Sequence, residues 1–290
     1  MKILRAREMG FCFGVRRAVE MMEEAVAERG QMVSLGSVVH NPQVVEKLRS
    51  QGLEVITDVS EARDKPVAIT AHGVARNVIE GLEQAGVEIF DTTCPIVTRS
   101  QQWAKKLTDE GYGLVVFGDP NHKEMRGVLG WANGKVLVVP AHQEPGELPA
   151  DFPSRIGVLS QTTETEQRFS SFVKKLFETN MERISELRVI NTLCHATTSQ
   201  QAATMELAGQ VDLMIVVGGR ESANTRHLAD VSRECGVETY HIERADEIEP
   251  EWLRGRAAVG VTAGASTPDY AIEEVVARLE ALASAPAASP

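Results

Sequence analysis

The chain has 290 residues, 43% hydrophobic and 24% charged, the balance of an ordinary folded domain rather than a disordered or membrane-embedded one. Acidic residues outnumber basic ones 41 to 30, and a net charge of −11 argues against nonspecific nucleic-acid binding. No apolar run approaches the roughly 18 residues of a membrane span. The opening segment also lacks the apolar core and small-residue cleavage site of a signal peptide, so a cytoplasmic protein without a membrane partner is expected.

Short β-branched runs alternate with longer amphipathic stretches, the signature of parallel sheets covered by helices. An N-terminal strand over Lys2–Ala6 precedes Cys12, a helix is expected over 15–29, and a strand ends near Val39 before His40-Asn41-Pro42 opens another helix. Strands follow at Leu53–Ile56 and Pro66–Thr70, with His72 just beyond. A helix over Asn77–Ala85 and a strand over Val87–Phe90 then lead to Cys94. The order recurs: helix 97–110, strand Gly113–Phe117, His122, strands Val136–Val139 and Arg155–Leu159, Gln161-Thr162-Thr163, helix 165–180, strand Leu187–Ile190 and Cys194. It then recurs with strand Leu213–Val217, Ser222, strand Ala257–Val261, Ser266 and helix 269–283. This third unit lacks a closing strand, and Lys2–Ala6 is expected to supply it.

His40, His122 and Ser222 each lie 28 residues beyond Cys12, Cys94 and Cys194, which identifies a threefold internal repeat. The expected fold is therefore α/β, three pseudo-threefold-related lobes with mainly parallel sheets, each bringing one thiol and one hydrogen-bonding group toward a common centre. The lobes are expected at 1–93, 94–192 and 193–281, with a flexible tail over 282–290.

Thiols stay reduced in the cytoplasm, so widely spaced cysteines there serve as metal ligands, catalytic groups or buried packers rather than disulfides. A single cysteine reads first as a packer. Three at matching places in three repeats reverse that preference. No close C-x₂-C pair supports zinc. An iron–sulfur cube held by three cysteines keeps one iron without a protein ligand, a Lewis-acidic position open to a substrate oxygen. Cys235 has no counterpart in the other repeats and is left as a structural residue.

Each repeat offers two polar points at strand ends, His40 and His72, His122 and Thr162, and Ser222 and Ser266, and with Asn224 these stand where ligands of parallel α/β sheets bind. Several precede helices, whose N-termini favour phosphate. Taken singly, Thr162, Ser222 and Ser266 are as well explained as helix caps. Glu124, two residues after His122, reads alone as a complement to a helix dipole; beside a metal centre and an anion it becomes a candidate proton donor.

The motifs Gly10-Phe11-Cys12-Phe13-Gly14-Val15, Val39-His40-Asn41-Pro42, Ala71-His72-Gly73-Val74 and Asp91-Thr92-Thr93-Cys94-Pro95 resemble the hydroxymethylbutenyl diphosphate reductase family. So do His122-Lys123-Glu124, Gln161-Thr162-Thr163, Asn191 to Thr197, Ser222-Ala223-Asn224 and Ala263-Gly264-Ala265-Ser266, and the resemblance covers about residues 1 to 281. It implies a four-iron four-sulfur cluster on Cys12, Cys94 and Cys194, with one iron not ligated by protein. It implies diphosphate held by His40, His72, His122, Ser222, Asn224 and Ser266, with Glu124 as proton source and Thr162 orienting the substrate hydroxyl. In this family the hydroxyl binds the open iron, two electrons and two protons enter, water leaves, and an allyl species is protonated to isopentenyl or dimethylallyl diphosphate. The family belongs to the methylerythritol phosphate route to isoprenoids.

Ala223 stands where many members have serine, which leaves that diphosphate contact to backbone or removes it. His195 occupies a variable position and receives no role. The rival readings are a quinolinate synthase-like enzyme, a nonenzymatic iron–sulfur sensor of a phosphorylated metabolite, and a zinc hydrolase. Lys2, Arg5, Arg7, Arg16 and Arg17 bracket Cys12 and offer either a landing patch for an acidic ferredoxin or flavodoxin or a merely solvated face.

Overall fold

The computed structural model describes residues 1–62 and 65–284. Three four-stranded sheets, all with parallel pairing, carry the fold. Sheet B consists of β2 (Met32–Leu35), β3 (Leu53–Ile56), β4 (Val67–Ile69) and β5 (Ile89–Asp91), ordered β3-β2-β4-β5. Sheet C consists of β6 (Gly113–Phe117), β7 (Val136–Val139), β8 (Arg155–Ser160) and β9 (Glu186–Val189), ordered β7-β6-β8-β9. Sheet A contains β10 (Leu213–Val217), β11 (Glu238–Ile242) and β12 (Ala258–Ala263), and its remaining edge is β1 (Lys2–Arg5). Because β1 pairs with β12 in parallel, Lys2 opposite Ala258, it takes the place that β5 and β9 hold in the other sheets. The expected closure of the third repeat by the N-terminal strand is therefore observed.

The chain forms two compact units. One contains Met1–Arg16, His40–Glu46 and the chain from His195 on, and with it sheet A; the other contains Arg17–Val39 and Lys47–Cys194, and with it sheets B and C.

Two-sided burial explains the apolar strands. In β6, Val115 and Phe117 enter one core with Phe169 and Phe172 of α6 (Glu166–Asn180), while Leu114 and Val116 enter another with Ala104 and Leu107 of α4 (Pro95–Asp109). All five β6 residues are buried. Side chains alternate across a strand, so helices on both faces require a continuous apolar run. Each Val or Leu so buried contributes about 1.5–3 kcal/mol. In β10, Leu213, Ile215 and Val217 pack with Ile272 and Val275 of α9 (Asp269–Ser284), and Met214 packs on the opposite face with Ala203 and Leu207 of α7 (His195–Ala208).

Some expectations change. The strand expected to end near Val39 ends at Leu35, because Gly36 adopts φ 83°, a left-handed turn that breaks the ladder. Helix α2 (Pro42–Gln51) is capped by Asn41, whose Oδ1 accepts from Gln43 N at 3.0 Å, so His40 stands one residue before the cap. Helix α9 runs through Ser284, three residues into the segment expected as tail; 285–290 lie outside the described residues. Among the described residues no helix is long and apolar enough to cross a membrane.

Candidate functional site

Each cysteine directly precedes a helix: Cys12 before α1 (Phe13–Arg29), Cys94 before α4 and Cys194 before α7. Each is also tied by its backbone N–H to the loop after the neighbouring inner strand. Cys12 N donates to Ala265 O at 3.1 Å, Cys94 N to Ala71 O at 3.0 Å, and Cys194 N to Thr162 O at 2.8 Å. The three bonds define the repeat more finely than sequence does. They make Ala71, Thr162 and Ala265 equivalent, so the counterpart of His72 and Ser266 is Thr163. The sequence pairing with Thr162 is one residue out of register, because a run of adjacent polar residues gives no internal mark of phase.

A second set of equivalent bonds fixes the other strand end. Gly36, Gly118 and Gly218, each with positive φ, donate to the carbonyls of Ile56, Val139 and Ile242, the last residues of β3, β7 and β11, and His40, His122 and Ser222 follow four residues after these glycines. In each sheet the two loops leave adjacent inner strands that continue in opposite directions across the sheet. That is the topological switch point at which α/β sheets bind ligands.

Two of the thiols, those of Cys12 and Cys94, have donors suited to a thiolate. Val15 N lies 3.5 Å from Cys12 Sγ. The backbone N–H groups of Ile96 and Val97 favour the Cys94 thiolate, while burial, the foremost effect, together with the neighbouring Cys194 and Glu124, holds the Cys94 pKa above the usual thiol value. The three are half-buried rather than core residues, which weighs against packing as their purpose. N–H groups aimed at sulfur are the surroundings that tune iron–sulfur ligation, so these residues fit a cluster chemically. Among the described residues no three His, Cys, Asp or Glu side chains are grouped to hold a single metal ion. A cluster separates its thiolates more widely than one zinc ion does. Cys235 is exposed and ends α8 (Ala223–Glu234).

In the unit with sheets B and C, Glu124 is 3% exposed. Its Oε1 accepts from Thr162 N at 2.8 Å and its Oε2 from Thr162 Oγ1 at 2.7 Å. Burial raises the Glu124 pKa above 4.5; both Thr162 bonds oppose the shift, and Glu164 reinforces it. His122 caps α5 (Lys123–Leu129), its Nδ1 accepting from Glu124 N at 3.2 Å. In the neutral ring the hydrogen therefore sits on Nε2. The His72 ring lies edge-on to His122, centroids 5.9 Å apart. Gln161, which sequence gave no reason to single out beyond its motif, joins the two loops: its Oε1 accepts from Asp119 N and its Nε2 donates to Thr163 Oγ1, both at 3.0 Å.

In the other unit, Ser222 caps α8 by accepting from Thr225 N, and Ser222, Asn224 and Ser266 are buried. Ser266 Oγ donates to His40 O at 3.3 Å. Gly219 passes so near that a Cβ there would fall 2.2 Å from the same oxygen. Ala223 is the first residue of α8, where backbone N–H groups have no partner within the helix. Gln200, which no sequence signal marked, donates to Gly10 O at 2.8 Å and accepts from Asn224 Nδ2 at 2.9 Å.

The basic residues around Cys12 are matched by acids. Arg5 pairs with Glu273, Arg7 with Glu206 and Arg16 with Asp269, and Arg17 donates to Thr93 O. Phe13, beside Cys12, is 72% exposed.

Residues 3–280 match the LytB protein family. The chain is 44% identical to a 4-hydroxy-3-methylbut-2-enyl diphosphate reductase of Dehalococcoides mccartyi, over 98% of this chain and 99% of that one. It is 43% identical to the enzyme of the same name from Geotalea uraniireducens, over 97% of each. A solved structure of (E)-4-hydroxy-3-methyl-but-2-enyl diphosphate reductase, the terminal enzyme of the non-mevalonate pathway, superposes with a TM-score of 0.68 at 38% identity, over 97% of this chain and 100% of that one. The corresponding reductase from Plasmodium falciparum superposes with a TM-score of 0.87 at 25% identity, over 95% and 87%.

Proposed function

The chain belongs to the LytB protein family, and from that premise we propose that it reduces 4-hydroxy-3-methylbut-2-enyl diphosphate to isopentenyl and dimethylallyl diphosphates. The relatives favour this reading over a quinolinate synthase-like enzyme, a sensor or a zinc hydrolase. The carbon–oxygen bond of the hydroxyl breaks, the oxygen leaves as water with one proton, and an allylic carbon receives the other. Two electrons come from an external one-electron donor.

Cys12, Cys94 and Cys194 hold a four-iron four-sulfur cluster with one iron free of protein ligands. When bound, that group supplies electrons and a Lewis-acidic position for the substrate oxygen. The observation that carries the reading is the buried Glu124–Thr162 pair. A backbone N–H can only donate, so Oε1 stays an acceptor and the proton of the neutral acid belongs on Oε2. The Thr162 hydroxyl can then turn, accept that proton and pass its own hydrogen to the leaving hydroxyl. Burial keeps Glu124 protonated to higher pH than an exposed carboxyl.

His40, His72, His122, Ser222, Asn224 and Ser266 bind the diphosphate, and the Ala223 backbone N–H replaces the serine found in many relatives. Buried hydroxyl and amide groups and half-buried imidazoles near helix starts meet phosphate oxygens in a setting where each bond is stronger than in water. The cytoplasm, where thiols stay reduced, is the matching compartment. An acidic ferredoxin or flavodoxin delivers electrons at the face carrying Phe13 and Arg16. Its charge must compete with the acids already paired to that face.

The test is anaerobic turnover of the hydroxylated diphosphate by reconstituted protein, following loss of the hydroxyl. Conversion to the two five-carbon diphosphates is expected; a loaded enzyme that binds the substrate without releasing water would overturn the assignment.

A further inference from the structure

Gln200 lies on α7, six residues beyond Cys194, and is 4% exposed. Its Nε2 donates to Gly10 O and its Oε1 accepts from Asn224 Nδ2. The direction of both bonds is forced. A backbone carbonyl only accepts, so Gly10 obliges Gln200 to turn its NH2 group that way. Oε1 then faces α8, and Asn224 must answer with its own NH2 group. One Nδ2 hydrogen of Asn224 is thereby committed, and the second hydrogen and Oδ1 keep fixed directions in the amide plane.

Two features make this relay more than packing. Asn224 is 3% exposed, and its Oδ1 has no hydrogen-bond partner among the described residues. Diphosphate oxygens accept, so what Asn224 keeps for them is its second Nδ2 hydrogen, held in the amide plane beside the unpartnered Oδ1. The base of the relay is also rigid. Gly10 adopts φ 77° and donates to Ala263 O at 3.1 Å, two residues before Cys12. A Cβ at Gly10 would fall 2.9 Å from Ile272 Cδ1 and 3.3 Å from Thr267 O.

We propose that Gln200 is a positioning residue, which fixes the Asn224 amide one way round for the diphosphate and references it to the loop that carries Cys12. This rests on the assignment of Asn224 to diphosphate binding. Gln200 touches no substrate atom; it removes the freedom of Asn224 to turn over, so that binding does not have to order the amide. The same polarity would be lost with a side chain of similar size that has no acceptor.

The test is a double-mutant cycle read by calorimetric titration of the reconstituted enzyme with inorganic diphosphate, using wild type, Gln200→Met, Asn224→Ala and the double variant. Each single substitution is expected to weaken binding by about five- to tenfold. The double variant is expected to be no weaker than the weaker single, because Gln200 acts through Asn224. Losses that multiply would mark Gln200 as an independent packing residue and overturn the proposal. An unchanged affinity in Asn224→Ala would instead remove the diphosphate role of Asn224, and the proposal with it. A second readout needs no variant: in metal-free protein with ¹⁵N-labelled asparagine side chains, the Asn224 NH2 pair should show one exchange-protected hydrogen without diphosphate and two with it. Two rapidly exchanging hydrogens would overturn the relay.

Discussion

The polar residues at the carboxyl ends of sheets B and C differ in kind from those of sheet A. Among the former are His72, His122 and Glu124, groups that gain and lose protons; sheet A presents Ser222, Asn224 and Ser266, which do not titrate near neutrality. The repeat placed equivalent backbone bonds under all three sheets, yet the side chains diverged. A symmetric frame thus carries different side chains: beside sheets B and C stand the groups proposed to move protons, and beside sheet A groups proposed only to hold hydrogen bonds, with His40 following β2 in sequence but belonging to the unit of sheet A. Gln200 and Gly219 stand on the same side: Gln200 bonds Gly10 and Asn224, and Gly219 lets the chain pass close to the His40 carbonyl.

The sharpest way to break that contrast is Glu124→Gln. It keeps size and removes the transferable proton, so turnover should fall about a hundredfold to ten-thousandfold while diphosphate still binds, measured as kcat against calorimetric affinity. Full turnover would remove Glu124 from the chemistry. Thr162→Val should lower kcat by about tenfold to a hundredfold, and it also carries a signed pH effect. The Thr162 hydroxyl bond favours the charged form of Glu124, so its loss raises an already raised pKa further. Because the protonated acid is the active form, wild-type turnover should fall as pH rises through that pKa, and in Thr162→Val the fall should move to higher pH. Stability has the same sign: the Glu124 contribution is complete below its ordinary value of 4.5 and is lost as pH rises through the raised one. A limb that moves to lower pH in Thr162→Val would contradict the pairing.

On the sheet A side, Gly219→Ala sets a methyl against the His40 carbonyl. The backbone must move, at a cost of about 1–3 kcal/mol by thermal or denaturant unfolding, and diphosphate affinity should weaken without a change in the pH profile. A shifted profile would blur the division between the two regions. The smallest effect is expected for Arg16→Glu. Because Arg16 is already paired with Asp269, reduction by an acidic protein donor should slow only about twofold to tenfold at low salt, and reduction by a small chemical reductant should not change. Equal rates with the protein donor would remove Arg16 from the docking face.

Much of this frame was legible in sequence. The runs Leu53–Ile56, Gly113–Phe117, Val136–Val139 and Leu213–Val217 fall on β3, β6, β7 and β10; β6 and β10 are buried throughout, and apolar runs buried on both faces leave no ambiguity. The vacancy at the end of the third repeat likewise pointed to Lys2–Ala6, of which Lys2–Arg5 forms β1. What escaped had a physical reason. The edge strand β11, Glu238–Ile242, mixes Glu, Thr, Tyr and His and so shows no strong apolar period. The one-residue error at Thr162 arose because backbone bonds from the cysteines, not side-chain type, set the phase. Gln200 carried no local signal, since its role depends on Gly10 and Asn224, distant in the chain.

The claim at the centre of the account is that three of the four cysteines act as one set. Iron and sulfide should be counted after anaerobic reconstitution of the wild type and of Cys12→Ser, Cys94→Ser, Cys194→Ser and Cys235→Ser, with turnover measured on the same samples. The account predicts about four irons and four sulfides per chain in the wild type and in Cys235→Ser, both active, and loss of iron and of turnover in each of the other three. A variant of Cys12, Cys94 or Cys194 that keeps a full complement of iron and normal turnover would contradict it.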